Sequence, residues 1–593
     1  MEDTINHRIE QLRCYMRSKQ LHAFIIPSTD AHISEYIPER WEARRWISGF
    51  TGSAGTVVVT LGNAGLWTDA RYFLQAADEL RGSEIALFKD RLPDTVGIPG
   101  WLLRQLPNGS RVGIDGSVYP AKDALALQAE LGKKSIALAP DVDPFDAIWR
   151  NRPPLPKEPV AVHPLELAGE AARQKIQKTL AKAEKYGANA VWISSLDAIA
   201  WLLNIRGSDV PYNPVAVAHA FLSRKQAILF IDQDKIPPPV ALHLEREGVA
   251  VAGYREAADF LAKTGGLQVC LDSARLSFTL YSAIAERNRV VDTLSVVDRL
   301  KSAKNETEIA GFRRCMVRDG VALVRFFIWL EKAIPTETVT EHAVCLKLKE
   351  LRSRQERFAG ESFHTIAGYA ANGAINHYHP TAESCATIKA EGLLLIDSGG
   401  QYTDGTTDIT RTVAAGALTQ AMRRDYTLVL KGNICLSKAI FPAGTRGAQI
   451  DMLARKAMWE HGVNYLHGTG HGVGHYLNVH EGPHSIRPEE NPVTLQIGMV
   501  VTNEPGIYRD YRYGVRTENM MLTKRVMTTD CGDFYGFETL TLCPIDTTPI
   551  IKEMMTTEET AWLNAYHHAV YEKLSPHLAA DEVEWLNNKT KAI

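Results

Sequence analysis

The sequence predicts a multidomain protein of mixed α/β and α+β class: two related α/β domains, then a third domain that opens with long helices and runs into strands. Three observations carry that expectation. At 593 residues the chain exceeds what one hydrophobic core fills. Residues 8–30 run helix, apolar strand, Ser-Thr-Asp, and residues 171–197 repeat the order and end in Ser-Ser-Leu-Asp. Near residue 300 short segments give way to sustained apolar spacing of helical period.

In chain order, HRIEQLRCYMRSKQ places its apolar residues on one helical face, AFIIP is a short buried strand, and GTVVVTL and GLWTD are further strands. NRPPLPKEPV at 151–160 suits neither helix interior nor central strand, so it marks a boundary. AARQKIQKTLAKAEKYGANAVWISS then restarts helix and strand, and WISGFTGSAG (46–55) has a loose counterpart in WLLNIRGSD (201–209). An internal duplication of one α/β unit explains both echoes. RLKSAKNETEIAGFRRCMVRDGVALVRFFIWLEKAI brings long helices; GLLLIDSG, GMVVTNEPGIY and GVRTENMMLT are strands; TEETAWLNAYHHAVYEKLSPHLAADEVEWLNNKT is helical. The expected domains are 1–155, 156–305 and 306–593.

Composition excludes several classes. Apolar content of 45% and charged content of 23% are those of a soluble globular protein, and a net charge of −3 offers no dominant basic face for nucleic acid. No run of about 18 apolar residues exists, so no membrane span is expected. The charged, amphipathic N-terminus is unlike a secretory signal. Eight scattered cysteines without a C-x-x-C pair argue against a disulfide scaffold and a cysteine zinc site. A reducing cytoplasm is the expected home, which makes the N-x-S/T triplets at Asn108, Asn305 and Asn588 chance matches.

Chemistry concentrates in the last third, at Asp397, Asp408, His471, Glu504 and Glu518, each in a glycine- or turn-rich stretch. Four carboxylates and one imidazole form a hard ligand set, better suited to two divalent ions such as Mn2+ than to a structural zinc. The four negative charges nearly neutralise two dications, and water acidified by such ions is a nucleophile for hydrolysis. Taken alone, Asp397 and Asp408, flanking SGGQYTDGTT, read sooner as turn-making aspartates, as does Asp404 before Gly405. In HGTGHGVGHYLNVHEGP the alternating glycines disfavour a helical metal face and favour an extended, close-packed strand or loop. Glu504 and Glu518 sit at strand ends bracketed by apolar runs, where a buried carboxylate needs a partner, and a metal is one such partner.

In this order the stretches resemble the metallopeptidase family with the pita-bread fold, which includes methionine aminopeptidase, prolidase and aminopeptidase P, with creatinase as a relative. RWISGFTGSAGT, LLNIRGSDVPYNP, NGAINHYHP, HGTGHGVGHYLNVHEGP and GFETLTLCPID are most similar to the long, three-domain Xaa-Pro aminopeptidases. The resemblance implies a C-terminal pita-bread catalytic domain and a metal-dependent aminopeptidase that cleaves before a penultimate proline through a metal-bridging hydroxide. It implies that Asp397 chelates one ion, Asp408 and Glu518 bridge, and His471 and Glu504 hold the other, with Glu504 also relaying a proton. It gives His377 and His480 places beside the scissile bond, His467 a place in the proline pocket, and Tyr508 and Arg516 the task of holding carboxylates. His475 is read as a pocket-wall residue. Mn2+ is the expected ion, with Co2+ or Zn2+ able to occupy such a set. The expected partners are peptides with penultimate proline and a second copy in a homodimer, for which Trp562 and Trp585 on amphipathic helices offer surface. A prolidase would need only one N-terminal domain, a creatinase-like activity needs no metal, and non-catalytic peptide-binding relatives typically lose the ligands.

Overall fold

The computed structural model describes residues 4–593, so the acidic opening at Glu2 and Asp3 lies outside the described residues. The first helix, Ile5–Ser18, starts where the Thr4 side chain accepts from His7 N, and it buries Ile9, Leu12 and Met16 at helical spacing. The strand Ala23–Ile26 follows, every residue buried. By its contacts the chain divides into two compact units: Met1–Leu165 with Glu170–Leu300, and Glu166–Gly169 with Lys301–Ile593.

The first unit holds two six-stranded sheets of identical topology. In space one runs Ile85–Lys89, Ala64–Thr68, Thr56–Thr60, Ala23–Ile26, Arg111–Ile114, Ala137–Ala139. The other runs Val249–Ala252, Ala227–Ile231, Ala218–Ser223, Ala190–Ile193, Gln268–Leu271, Arg289–Asp292. In each, the earliest strand lies inside the sheet, antiparallel to the strand that follows it and parallel to the fifth. A helix leads into each, Ile5–Ser18 and Ala172–Glu184. The duplication read from the sequence is thus present strand by strand. The run 151–160 carries neither helix nor strand, as proline's fixed φ and missing donor dictate.

The second unit opens with the helix Glu306–Ala333, 28 residues long. Asn305 caps it, accepting from Glu308 N while Glu308 returns a bond to Asn305 N. The asparagine of that N-x-T triplet is therefore a helix cap. Four sheets follow, one of them a small antiparallel sheet of Phe358–Glu361, Gly400–Tyr402 and Gly405–Thr406. A three-stranded antiparallel sheet orders Ile366–Tyr369, Leu393–Ser398 and Ile409–Ala414. A six-stranded sheet orders Ile440–Pro442, Gly532–Thr539, Asn519–Thr529, Val500–Asn503, Gly470–Gly472 and Glu481–Ile486. A hairpin joins Gly506–Arg509 to Tyr513–Arg516. Phe312, Val324, Tyr426, Ile434, Val500 and Met520 form the core between helices and sheets.

The C-terminal helices Thr557–Leu574 and Ala580–Lys589 pack on the helices Glu306–Ala333 and Gln420–Ser437 of their own unit. Trp562 stacks on Tyr566 at 5.4 Å and Trp585 donates to Glu331 at 2.8 Å. Among the described residues no helix is long and apolar enough to cross a membrane.

Candidate metal centre

Two antiparallel strands aim the aspartates. Asp397, near the end of Leu393–Ser398, pairs across the sheet with Thr410. Asp408 precedes Thr410 by two residues, and side chains two apart on a strand share a face, so both carboxylates leave the same face of the sheet. The glycine-rich segment supplies the imidazole. Its strand is the short Gly470–Gly472, and a Cβ at Gly470 would sit 2.0 Å from Thr502 O, one at Gly472 2.4 Å from Glu481 O. No side chain fits either position, which lets His471 alone project from a backbone pressed between two strands. Glu504 follows the strand Val500–Asn503 and ties its N–H to Thr469 O; Glu518 precedes Asn519–Thr529 and ties its N–H to Thr410 O.

Asp408, His471, Glu504 and Glu518 lie close together, and Asp397 joins them through Arg516. One ligand atom each from Asp408, His471 and Glu518 lies within 4.8 Å of the others. His471 Nε2 stands 3.4 Å from Asp408 Oδ2 and 3.6 Å from Glu504 Oε1. Glu518 Oε2 accepts from Thr410 Oγ1, which accepts from Arg516 Nε, and Arg516 Nη2 reaches Asp397 Oδ2 at 2.6 Å. The same guanidinium donates to Tyr508 OH at 2.6 Å and to Asn376 O at 3.3 Å. Tyr508 OH lies 2.9 Å from His467 Nε2, and the His480 ring meets the His471 ring edge-on at 4.4 Å. One polar network thus joins Asp397, Arg516, Tyr508 and His467, and it touches the residue before His377.

Comparison with known proteins fits this geometry. The model of Metallopeptidase family M24 matches residues 310–525 and that of its C-terminal region 533–593; Creatinase/Prolidase N-terminal domain models match 8–148 and 151–308. A probable Xaa-Pro aminopeptidase P of Metarhizium acridum is 41% identical over 99% of each chain. The chain belongs to metallopeptidase family M24. A second relative with the same description, from Coprinopsis cinerea, is 39% identical over 99% of this chain and 98% of its own. The X-prolyl aminopeptidase of Caenorhabditis elegans, described as a cytosolic enzyme with a di-nuclear active site, superposes with a TM-score of 0.95 at 36% identity, covering 100% of both chains. A Xaa-Pro dipeptidase from Bacillus anthracis covers 63% of this chain and 99% of its own at 23% identity and a TM-score of 0.51, a likeness of fold alone.

The donor set of this M24 chain fits a pair of divalent cations. Asp397 Oδ1 is buried without a hydrogen-bond partner, and a cation would offset that cost. Burial raises the Asp397 carboxyl, with Asp408 adding to the rise and Arg516 opposing it. Burial likewise pushes Glu504 up to about 7, Asp408 and Asp397 adding to the rise while His471 and Arg516 oppose it. Glu518 is raised well above the usual range by burial and then by the charges of Asp408, Glu504 and Asp397. Burial would lower His471, but its bond to Asp408 and the charges of Glu504 and Asp408 outweigh that and push it up to about 9. Carboxylates forced this close hold protons unless cations replace them. The second His471 nitrogen, Nδ1, lies 2.9 Å from Gly472 O; donation there leaves Nε2 as the nitrogen a cation would take once its proton is displaced.

One sequence expectation changes. His475 is 2% exposed and packs edge-on against Phe312 at 5.5 Å, so it belongs to the core beside the long helix instead of a pocket wall. The Gly311 backbone lies so close that a Cβ there would stand 2.8 Å from His475 Nε2. Asp404 is a turn residue, as read, yet it is fully buried and paired with Arg318 and Arg314. Sequence reasoning also passed over several supports. Arg411 Nη1 grips Glu518 O at 2.6 Å and its Nη2 reaches Asn519 Oδ1 at 2.8 Å. Arg455 grips Tyr465 O at 2.6 Å and His467 O at 2.8 Å while Asp451 binds Thr469 Oγ1. An arginine inside the alternating strand ITRTV is the one available signal, because a strand between apolar neighbours buries arginine only around acceptors.

Proposed function

We propose that this chain is a dinuclear metallo-aminopeptidase that releases the N-terminal residue from peptides with proline second. The observation that carries the reading is the gathering of Asp408, His471 and Glu518 within ligand distance of one another, with Glu504 beside His471 and Asp397 joined through Arg516, and with burial pushing Asp397, Glu504 and Glu518 toward protonation. Full-length identity to chains described as probable Xaa-Pro aminopeptidases P supports the substrate class. Asp397, Asp408, His471, Glu504 and Glu518 would together hold the two ions; Mn2+ is the ion such an oxygen-rich set favours, with Co2+ and Zn2+ as competitors. Bound there, the ions supply Lewis acidity and acidify water at neutral pH.

The chain's own groups do the rest. An Oε atom of Glu504 takes the proton from the attacking water and passes it to the departing prolyl nitrogen. His377 and His480 orient the scissile carbonyl and donate toward its oxygen as charge develops. His467, fixed by Tyr508, walls the pocket for the proline ring, whose missing N–H and fixed φ exclude it from most peptidases. Arg516 and Tyr508 hold Asp397 and His467 in register. The division 1–155, 156–305, 306–593 assigns catalysis to the last part. A homodimer and a cytoplasmic site complete the reading, the latter supported by the description of the Caenorhabditis elegans enzyme as cytosolic.

Metal-stripped protein should cleave an Arg-Pro-Pro peptide only after Mn2+ is restored, and should prefer it to an Arg-Pro dipeptide. Metal-loaded protein that leaves the tripeptide intact contradicts the reading; cleavage confined to the dipeptide makes the chain a prolidase.

A further inference from the structure

The segment between the strands Ile366–Tyr369 and Leu393–Ser398 has no regular structure beyond a single turn of 3-10 helix at Ala370–Ala374, and it carries His377. Much of it is exposed or half-buried. Such a loop has no ladder to hold it, so a side chain on it keeps a fixed direction only if specific bonds pin the backbone.

One carboxylate supplies them. Glu341, the first residue of the helix Glu341–Ser353, is fully buried. Its Oε1 accepts from Tyr369 N at 2.6 Å and Asn372 Nδ2 at 3.1 Å. Its Oε2 accepts from Asn372 Nδ2 at 3.0 Å, Tyr378 OH at 2.9 Å and Ala386 N at 2.7 Å. These donors mark the start of the loop, its turn, the neighbour of His377, and its far end. The backbone adds a return bond from Glu341 N to Ala386 O at 3.1 Å. On the other side of His377, Asn376 O accepts from Arg516, the residue that pairs with Asp397. His377 is thus flanked by one residue tied to the metal-site arginine and one tied to Glu341.

An acid in the first turn of a helix normally serves the helix and faces solvent. Glu341 instead faces inward, and its cap duty is done by Thr340, whose side chain accepts from Ala343 N. A buried carboxylate is costly unless several donors satisfy it, and here the donors are Tyr369 N, at the end of the strand that enters the His377 loop, and Asn372, Tyr378 and Ala386 within it.

We propose that Glu341 is the positioning residue for His377, acting through Tyr378 and the two ends of the loop to fix the imidazole that faces the scissile bond. This rests on the role given to His377 above. In Glu341→Gln one acceptor becomes an NH2 group pointed at donors, which releases the loop; Tyr378→Phe removes one tie and leaves the others. In metal-loaded enzyme with an Arg-Pro-Pro substrate, each change should lower kcat at least about tenfold, in the range that misplacing a catalytic group by an ångström costs. KM and metal content should stay near those of the parent. In a His377→Ala background the same two changes should cost almost nothing further. If His377→Ala is impaired and Glu341→Gln or Tyr378→Phe costs the same factor in both backgrounds, the Glu341 proposal is wrong. If His377→Ala is fully active, it is the role of His377 that fails. Tyr378→Phe keeps the test alive should Glu341→Gln not fold.

Discussion

His471 Nε2 faces Asp408 Oδ2 at 3.4 Å while the opposite nitrogen of the same ring lies 2.9 Å from Gly472 O. The ring is held from behind and presents Nε2 to acids gathered from three other segments. His471→Ala removes that ligand without adding bulk. The variant should lose at least one metal per chain by elemental analysis and about a hundredfold or more in kcat. A variant that keeps its metal content removes His471 from the ligand set.

Chelated protein should respond to pH in a way the loaded enzyme does not. Glu504 rises from 4.5 to about 7 in the metal-free fold, so the native state binds more protons than the unfolded state across that window. Stability therefore falls as pH rises from 4.5 through about 7, on the order of 3 kcal/mol for this group at 1.36 kcal/mol per unit. His471, raised from 6.5 to about 9, contributes stability that is full below 6.5 and lost as pH climbs through 9. Both slopes have the same sign. Denaturant melts of chelated protein should weaken steadily across that range, and Mn2+ should flatten the trend.

Tyr508 stands between Arg516 and His467: its hydroxyl accepts from Arg516 at 2.6 Å and donates to His467 Nε2 at 2.9 Å, since the other ring nitrogen is turned to Gly468 O. Tyr508→Phe keeps the ring and deletes both bonds. Losing a partner that orients site groups typically costs 10- to 100-fold, so kcat/KM on proline peptides should fall by about that much with two metals retained. Steady-state kinetics beside metal analysis decides it.

Arg455 holds the backbone on which His467 stands, and its own charge is balanced by Asp451 at 2.6 Å in the interior. Arg455→Met strands that carboxylate. The expected cost is about 3–5 kcal/mol, measured by denaturant unfolding, with KM for proline peptides rising as the His467 carbonyl loses its donor. The double change Asp451→Asn with Arg455→Met should recover part of the stability.

Much of the fold could be read from local pattern. The duplication showed because helix, apolar strand and small polar residues recur in order, and the two sheets repeat that order strand for strand. The long helix showed because its apolar period runs unbroken behind the Asn305 cap. Asp397, Asp408, His471, Glu504 and Glu518 stood out because acids and an imidazole lie at turns and strand ends next to apolar runs. What escaped were residues whose purpose depends on the far side of the chain. Glu341 looks like any helix-start acid until Tyr369, Tyr378 and Ala386 arrive around it. Arg411 and Arg455 act on carbonyls, and a carbonyl leaves no trace in sequence. His475 misled in the opposite direction: set in the same histidine-rich stretch, it is buried with its ring against Phe312.

Counting Mn2+ per chain by calorimetric titration into chelated protein, for the parent and for Asp397→Asn, Asp408→Asn and Glu518→Gln, tests the shared site most directly. Two ions should enter the parent, with hydrolysis of the proline tripeptide returning alongside them, and fewer than two should enter each variant. Parent protein that binds no ion, or variants that bind two as tightly as the parent, would contradict it.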